Sequence, residues 1–98
     1  MADIEFAAGC AAEPADAGQC FALGMSYSAG AGVAVDLVAA HMWFNIAASR
    51  GHVDAARLRR EVAEQMADAE IGCAQRAARA WLKAHPLPEL PAAIRAAA

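Results

Sequence analysis

The sequence predicts an all-α domain, and three observations carry that prediction. Alanine, the strongest helix former, accounts for 30 of the 98 residues. Apolar residues recur three or four positions apart in four successive segments, which is the spacing of one helix face. The larger apolar types Leu, Ile, Val and Phe number only 18, and the net charge is a modest -3. Closely packed helices fit this composition better than a disordered chain does.

The first two helices are predicted to form a hairpin between residues 19 and 51. Leu23 and Tyr27 share one helix face, and Gly30 can adopt the left-handed conformation that closes a helix. Asp36 then supplies the side-chain oxygen of an N-cap, and Gly51 ends the second helix. Its inward residues are expected to be Leu37, Ala40, Trp43, Phe44, Ala47 and Ala48.

Two further helices are predicted over residues 53–66 and 68–84. In the third helix Leu58, Val62 and Met66 lie one turn apart. Its outward residues indicate a solvated ion-pair surface, formed by Arg57, Arg59, Arg60, Glu61 and Glu64. The fourth helix is expected to be capped by Asp68 and to end before Pro86. Its inward residues are expected to be Ile71, Ala74, Ala78, Trp81 and Leu82.

The two helix pairs resemble one another in sequence. Leu23 and Tyr27 match Leu58 and Val62 after a shift of 35 positions, and Trp43 matches Trp81 after a shift of 38. Such self-similarity is typical of tandem helical hairpin repeats.

The stretch LGMSYSAGAGVAVDLVAAHMWFNIAASRGHVDAA resembles the Sel1-like repeat, a relative of the tetratricopeptide repeats. The family pattern matches at Leu23, Gly24, Tyr27, Gly30, Gly32, Val33, Asp36, Ala40, Trp43, Ala47, Ala48 and Gly51, and less completely at Leu58 and Trp81 in the second unit. The resemblance implies an N-terminal extension (1–16), a Sel1-like repeat (17–51), a second, degenerate repeat or cap (52–85) and a Pro/Ala-rich tail (86–98).

The resemblance also implies a function. Sel1-like proteins are interaction modules, so we expect a non-catalytic adaptor that binds a protein or peptide or self-associates as a homodimer. The groove in such folds is usually lined by the first helix of each hairpin. On this chain that geometry points to Gln19, Ala22, Ser26, Ala55 and Arg59.

The stretch YSAGAGVAVD admits a second interpretation, because Gly30 and Gly32 flank one residue and can bring the backbone close to a phosphate. A phosphate loop would need Gly-Lys-Ser/Thr after it, and a dinucleotide fingerprint would need a preceding strand. We therefore interpret both glycines as the turn of the first hairpin, with Val33 tucked against it.

An alternative function is a small enzyme or a metal- or ligand-binding protein that uses His41, Asn45 and His52. His41, Asn45 and Ser49 form a polar ridge along the second helix, but no acidic or thiol ligand lies at matching spacing. A polar outer face or a hydrogen bond at the edge of the core is the simpler interpretation. No metal or other cofactor, and no catalytic residue, is predicted.

The cysteines and tryptophans are expected to have structural roles. Cys20 and Cys73 fall in alanine-rich helices, which indicates buried small hydrophobes. Trp43 and Trp81 are expected to fill the space between helices that approach closely across alanine. Cys10 completes an odd set without CxxC spacing, so neither a disulfide framework nor a structural zinc is expected.

Composition argues against two classes of partner. The acidic balance and the lack of a basic run give no electrostatic footprint for nucleic acid. No apolar stretch reaches the ~18 residues that a bilayer span needs, and the first residues lack the positive charge of a signal peptide. We expect a soluble protein located in the cytoplasm.

Overall fold

The computed structural model describes residue 14 and residues 16–87 and contains four α-helices there. These are α1 (Ala17–Ala29), α2 (Leu37–Ser49), α3 (Ala55–Ala63) and α4 (Asp68–Ala84). The described part of the chain contains no strand, so the all-α prediction is confirmed. Cys10, most of the predicted N-terminal extension and nearly all of the tail lie outside the described residues.

The turn between α1 and α2 is the one that the sequence predicts. Gly30 has a φ of 75°, in the left-handed region, and its N–H donates to the Ser26 carbonyl at 2.8 Å. The Asp36 carboxylate accepts a hydrogen bond from the Ala39 N–H at 3.0 Å and caps α2. The predicted packing of Val33 is wrong, because this side chain is 40% exposed.

Helix α3 is shorter than the predicted 53–66. Before it, Val53 lies in a turn and is 90% exposed. After it, the N–H groups of Gln65 and Met66 donate to carbonyls three residues back rather than four, so the α-helical pattern ends at Ala63.

The predicted cap of α4 is also wrong. Asp68 is the first helical residue, and Ala67 occupies the N-cap position without a side chain that can cap. The Glu70 carboxylate instead accepts from the Ala67 N–H at 2.8 Å, which is one half of a capping box. A carboxylate three residues into the helix thus replaces the expected Asp68 oxygen.

Helix α2 is the centre of the fold. Helices α1, α3 and α4 each pack against α2 and make few contacts with one another. The buried residues form two clusters, which we call the α4-side cluster and the α3-side cluster. The α4-side cluster contains Cys20, Ile46, Ala47, Ala55 and Ala78, and the α3-side cluster contains Ala40, Phe44 and Val62. Phe21 packs against both clusters.

The two tryptophans lie where α2 meets α4. Trp43 and Trp81 are partly buried and pack against the α4-side cluster, with ring centroids 5.5 Å apart in an edge-to-face arrangement. Arg50 lies over the Trp81 ring and donates to the His85 carbonyl, so it joins the C-terminal ends of both helices. The predicted role of the indoles in helix packing is confirmed.

The residues of the repeat pattern divide by their place in the fold. Gly24, Ala40 and Ala47 are buried, whereas the turn and cap residues Gly32, Asp36 and Gly51 are exposed. The remaining members besides Val33 are partly buried, namely Leu23, Tyr27, Gly30, Trp43, Ala48, Leu58 and Trp81. The repeat interpretation itself stays a prediction.

Within the described residues, none of the helices has the length and apolar character that a membrane-crossing helix requires.

Candidate functional site

An open cleft lies between α1 and α3 and has a volume of about 290 Å³. Its floor is the ring of Phe44 on α2, which is 1% exposed. Its lining side chains are Met25 and Ser28 from α1, and Leu58, Glu61, Val62 and Gln65 from α3 and the turn after it. Helix α1 contributes its C-terminal half, and α3 contributes residues from its middle to its end.

Two features of the packing produce this cleft. Helix α1 lies close to α2, and α1 makes few contacts with α3. Gly24 brings the backbone of α1 against the Phe44 ring, because a Cβ at this position would lie 2.5 Å from a ring atom. Helices α1 and α3 pack on α2 rather than on each other. The space above Phe44 therefore stays open, and Met25 at its edge is 44% exposed.

The charge of the cleft is negative. Helix α1 has no charged residue between Ala17 and Ala29, and Glu61 is the charged member of the described lining. The Glu61 Oε2 accepts from the Arg57 Nη1 at 3.2 Å, and both side chains are 57% exposed. The C-terminal end of α1, which has no basic residue in its last turn, carries partial negative charge, whereas Arg60 offsets that of α3.

None of the residues that the sequence assigns to partner binding is in the described lining of the cleft. Ala55 is fully buried in the α4-side cluster, so its predicted partner contact is wrong. Ser26 and Arg59 each come one residue after a lining residue, which turns their side chains about 100° away around the helix. Gln19 and Ala22 are exposed on α1 but do not line the cleft.

Arg59 also differs from its predicted place in the solvated ion-pair surface. Its Nη1 donates to the Asn45 Oδ1 at 2.7 Å, a partly buried hydrogen bond that links α3 to α2. Arg57 does form a pair within the expected surface, at 3.2 Å to Glu61, and it forms a second pair, at 3.8 Å to Asp54, that the sequence analysis did not predict.

The sequence did contain a signal for the cleft. Four of its lining residues share one face of α3 at helical spacing, namely Leu58, Glu61, Val62 and Gln65.

The alternative site around His41, Asn45 and His52 does not converge. The ring of His52 stacks on Phe21 with centroids 3.9 Å apart, and its Nδ1 accepts from the Asp54 N–H at 3.2 Å. The Oδ1 atom of Asn45 accepts a hydrogen bond from Arg59. His41 lies eight positions before Ser49, the last residue of α2, which corresponds to about 12 Å of helix rise, and His52 lies beyond the end of the helix.

His41 is nevertheless unusual, because it is 3% exposed and its Nδ1 has no hydrogen-bond partner. Burial lowers the pKa of His41, and the nearby positive charge of Arg59 lowers it further. The structure places this ring inside the fold rather than on an outer ridge.

No group of three or more His, Cys, Asp or Glu side chains in the described part of the chain is arranged to hold a metal ion.

The two described cysteines differ. Cys20 is 2% exposed, so its predicted role as a small hydrophobe is confirmed, and burial raises the pKa of its thiol. Cys73 is exposed, so the same prediction for it is wrong. Helix α4 packs on α2 through Ala74 and Ala78, and Cys73 lies outside that stripe.

Comparisons of the chain with protein-family models, with curated proteins and with solved structures found no match. The resemblance to Sel1-like repeats therefore stays a prediction that rests on the matching residues of the sequence.

Proposed function

We propose that this protein is a non-catalytic interaction module that binds a protein or peptide partner in the cleft between α1 and α3. The observation that supports this proposal best is the open cleft, whose apolar lining includes Met25, which is 44% exposed, and Leu58, which is partly buried. Phe44, Leu58 and Val62 belong to the α3-side cluster or pack against it, and the cleft leads to them from solvent. Filling it removes apolar surface from water, which is the main driving force of protein association.

The lining favours a side chain of a partner over a small metabolite. Small-molecule sites typically enclose about 300–1,000 Å³ and hold several converging polar groups. This cleft, at about 290 Å³, lies at the lower limit of that range, and of its polar lining residues Ser28, Glu61 and Gln65 the last two are exposed. Such a surface suits one or two apolar anchors of a peptide or helix.

The cytoplasm is the compartment that we propose for this interaction. Cys20 and Cys73 are both free thiols, and free thiols persist in a reducing compartment.

The test compares two substitutions on α1. Met25→Asp puts a carboxylate at the edge of the cleft, whereas Ala22→Asp makes the same change on an exposed face that was expected to bind from the sequence. Both positions are exposed, so both variants should retain the helical circular dichroism of the natural protein. In affinity capture from the native cell lysate, we expect Met25→Asp to lose the captured partner and Ala22→Asp to retain it.

Two results would overturn the proposal. One is capture of the same proteins by Met25→Asp, and the other is a natural protein that captures nothing. A homodimer formed through the cleft is detected by sedimentation across a concentration series, where Met25→Asp should be monomeric at every concentration.

A further inference from the structure

We propose that the cleft selects a peptide segment that combines an apolar side chain with a neighbouring lysine or arginine. This inference rests on the proposed function, since it names the chemistry of the partner that the same cleft binds. It is argued from the charge and the contacts of the lining residues.

Residues from three helices recognise the apolar side chain of the partner. Phe44 forms the floor, Met25 stands on the α1 side, and Leu58 stands on the α3 side. The space between them is open to solvent and has a volume of about 290 Å³. It can therefore accept a large apolar side chain of the partner.

Glu61 is the residue that recognises the lysine or arginine of the partner. Its carboxylate lines the cleft, and its hydrogen bond from Arg57 uses Oε2. The pair is more than half exposed on both sides, and exposed pairs of this kind contribute little free energy. A cation of the partner can thus share or replace Arg57 at small cost.

The C-terminal end of α1 strengthens the same preference. The last turn of α1 has no basic residue, so the negative end of that helix is left without a compensating side chain. Helix α3 ends at Ala63, next to the cleft residues Val62 and Gln65. Arg60 in the last turn of α3 offsets the negative end of that helix, so a partner with an aspartate or glutamate in this position would meet Glu61 and the uncompensated C-terminus of α1.

The experiment selects peptides from a random 12-residue display library on the natural protein and measures the selected peptides by fluorescence anisotropy. We expect a consensus with one large apolar residue and a Lys or Arg within four positions of it. Glu61→Lys should weaken binding about fivefold or more, since it removes an ion pair and adds a repulsion. Exchange of the basic peptide residue for Glu should restore binding to that variant.

Glu64→Lys is the matched control, because it makes the same charge change at an exposed position of the turn after α3 that does not line the cleft. It should leave the affinity within about twofold, as expected for a screened surface charge.

The outcomes separate this inference from the proposed function. Met25→Gln removes the apolar contact without adding charge. Peptides that lose binding to Met25→Gln but show no basic preference, or bind Glu61→Lys unchanged, overturn the inference and leave the cleft as the binding site. Peptides that bind Met25→Gln as well as the natural protein, or a selection that yields none, overturn both.

Discussion

At the scale of single residues, Gly24 shows how one missing side chain positions the floor of the cleft. An added Cβ would come within 2.5 Å of the Phe44 ring, and this ring cannot move aside easily because it is 1% exposed in the core. We expect Gly24→Ala to destabilise the protein by about 1–3 kcal/mol, despite the better helix propensity of alanine. Urea denaturation measures the difference.

Gly72→Ala is the control for this substitution. Gly72 lies inside α4, and the nearest atom to an added Cβ is the Arg76 Nη1 at 3.3 Å, the end of a flexible, exposed side chain. The propensity gain of up to ~1 kcal/mol should therefore dominate. If Gly24→Ala were as stabilising as Gly72→Ala, the close approach of α1 to Phe44 would be refuted.

His41 should make stability depend on pH. Burial and Arg59 lower its pKa from 6.5 in the folded protein, whereas the unfolded chain takes up the proton near the ordinary value. Below pH 6.5 the unfolded state therefore binds more protons, and the free energy of unfolding decreases as the pH falls towards the folded-state pKa. The added slope is at most about 1.4 kcal/mol per pH unit.

The measurement is denaturant unfolding at a series of pH values for the natural protein and for His41→Gln. Because Gln does not titrate, the variant should show the shallower decrease in mildly acid solution, whatever its stability at neutral pH. Parallel curves would show that His41 is protonated as readily in the folded state as in the unfolded one.

At the scale of helices, the sequence predicts an end correctly where its chemistry is local. Gly30 and Asp36 act through their own backbone and side chain, so their residue types sufficed to place the turn. The ends of α3 depend on competing hydrogen bonds, such as those of Gln65 and Met66 to carbonyls three residues back. Similarly, Glu70 and Asp68 both offered a carboxylate near Ala67, and residue type alone did not decide between them.

At the scale of the whole molecule, local sequence patterns could not predict which faces of α1 and α3 line the cleft. The first and third helices were expected to line a partner-binding groove, which stays a prediction, and the faces that line the cleft depend on contacts between distant residues. Ala55 became part of the core, and Arg59 turned towards Asn45, fourteen positions away. Neither contact has a local sequence signal, because both arise from the packing of α3 on α2.

The central position of α2 leads to a prediction about the whole molecule. Phe44 of the α3-side cluster and Ile46 and Ala47 of the α4-side cluster all belong to this one helix. Loss of either cluster should therefore unfold both. We expect Val62→Ala, in the α3-side cluster, to lower the free energy of unfolding by about 1–2 kcal/mol.

Two probes follow this unfolding at different places. Indole fluorescence reports on Trp43 and Trp81, which pack against the α4-side cluster, whereas far-ultraviolet circular dichroism reports on all helices. Both should give the same midpoint and the same shift for Val62→Ala. Val53→Ala, at a position that is 90% exposed, should change stability by less than about 0.5 kcal/mol. A fluorescence transition that ignored Val62→Ala would show instead that the two clusters unfold independently, as weakly coupled repeat units do.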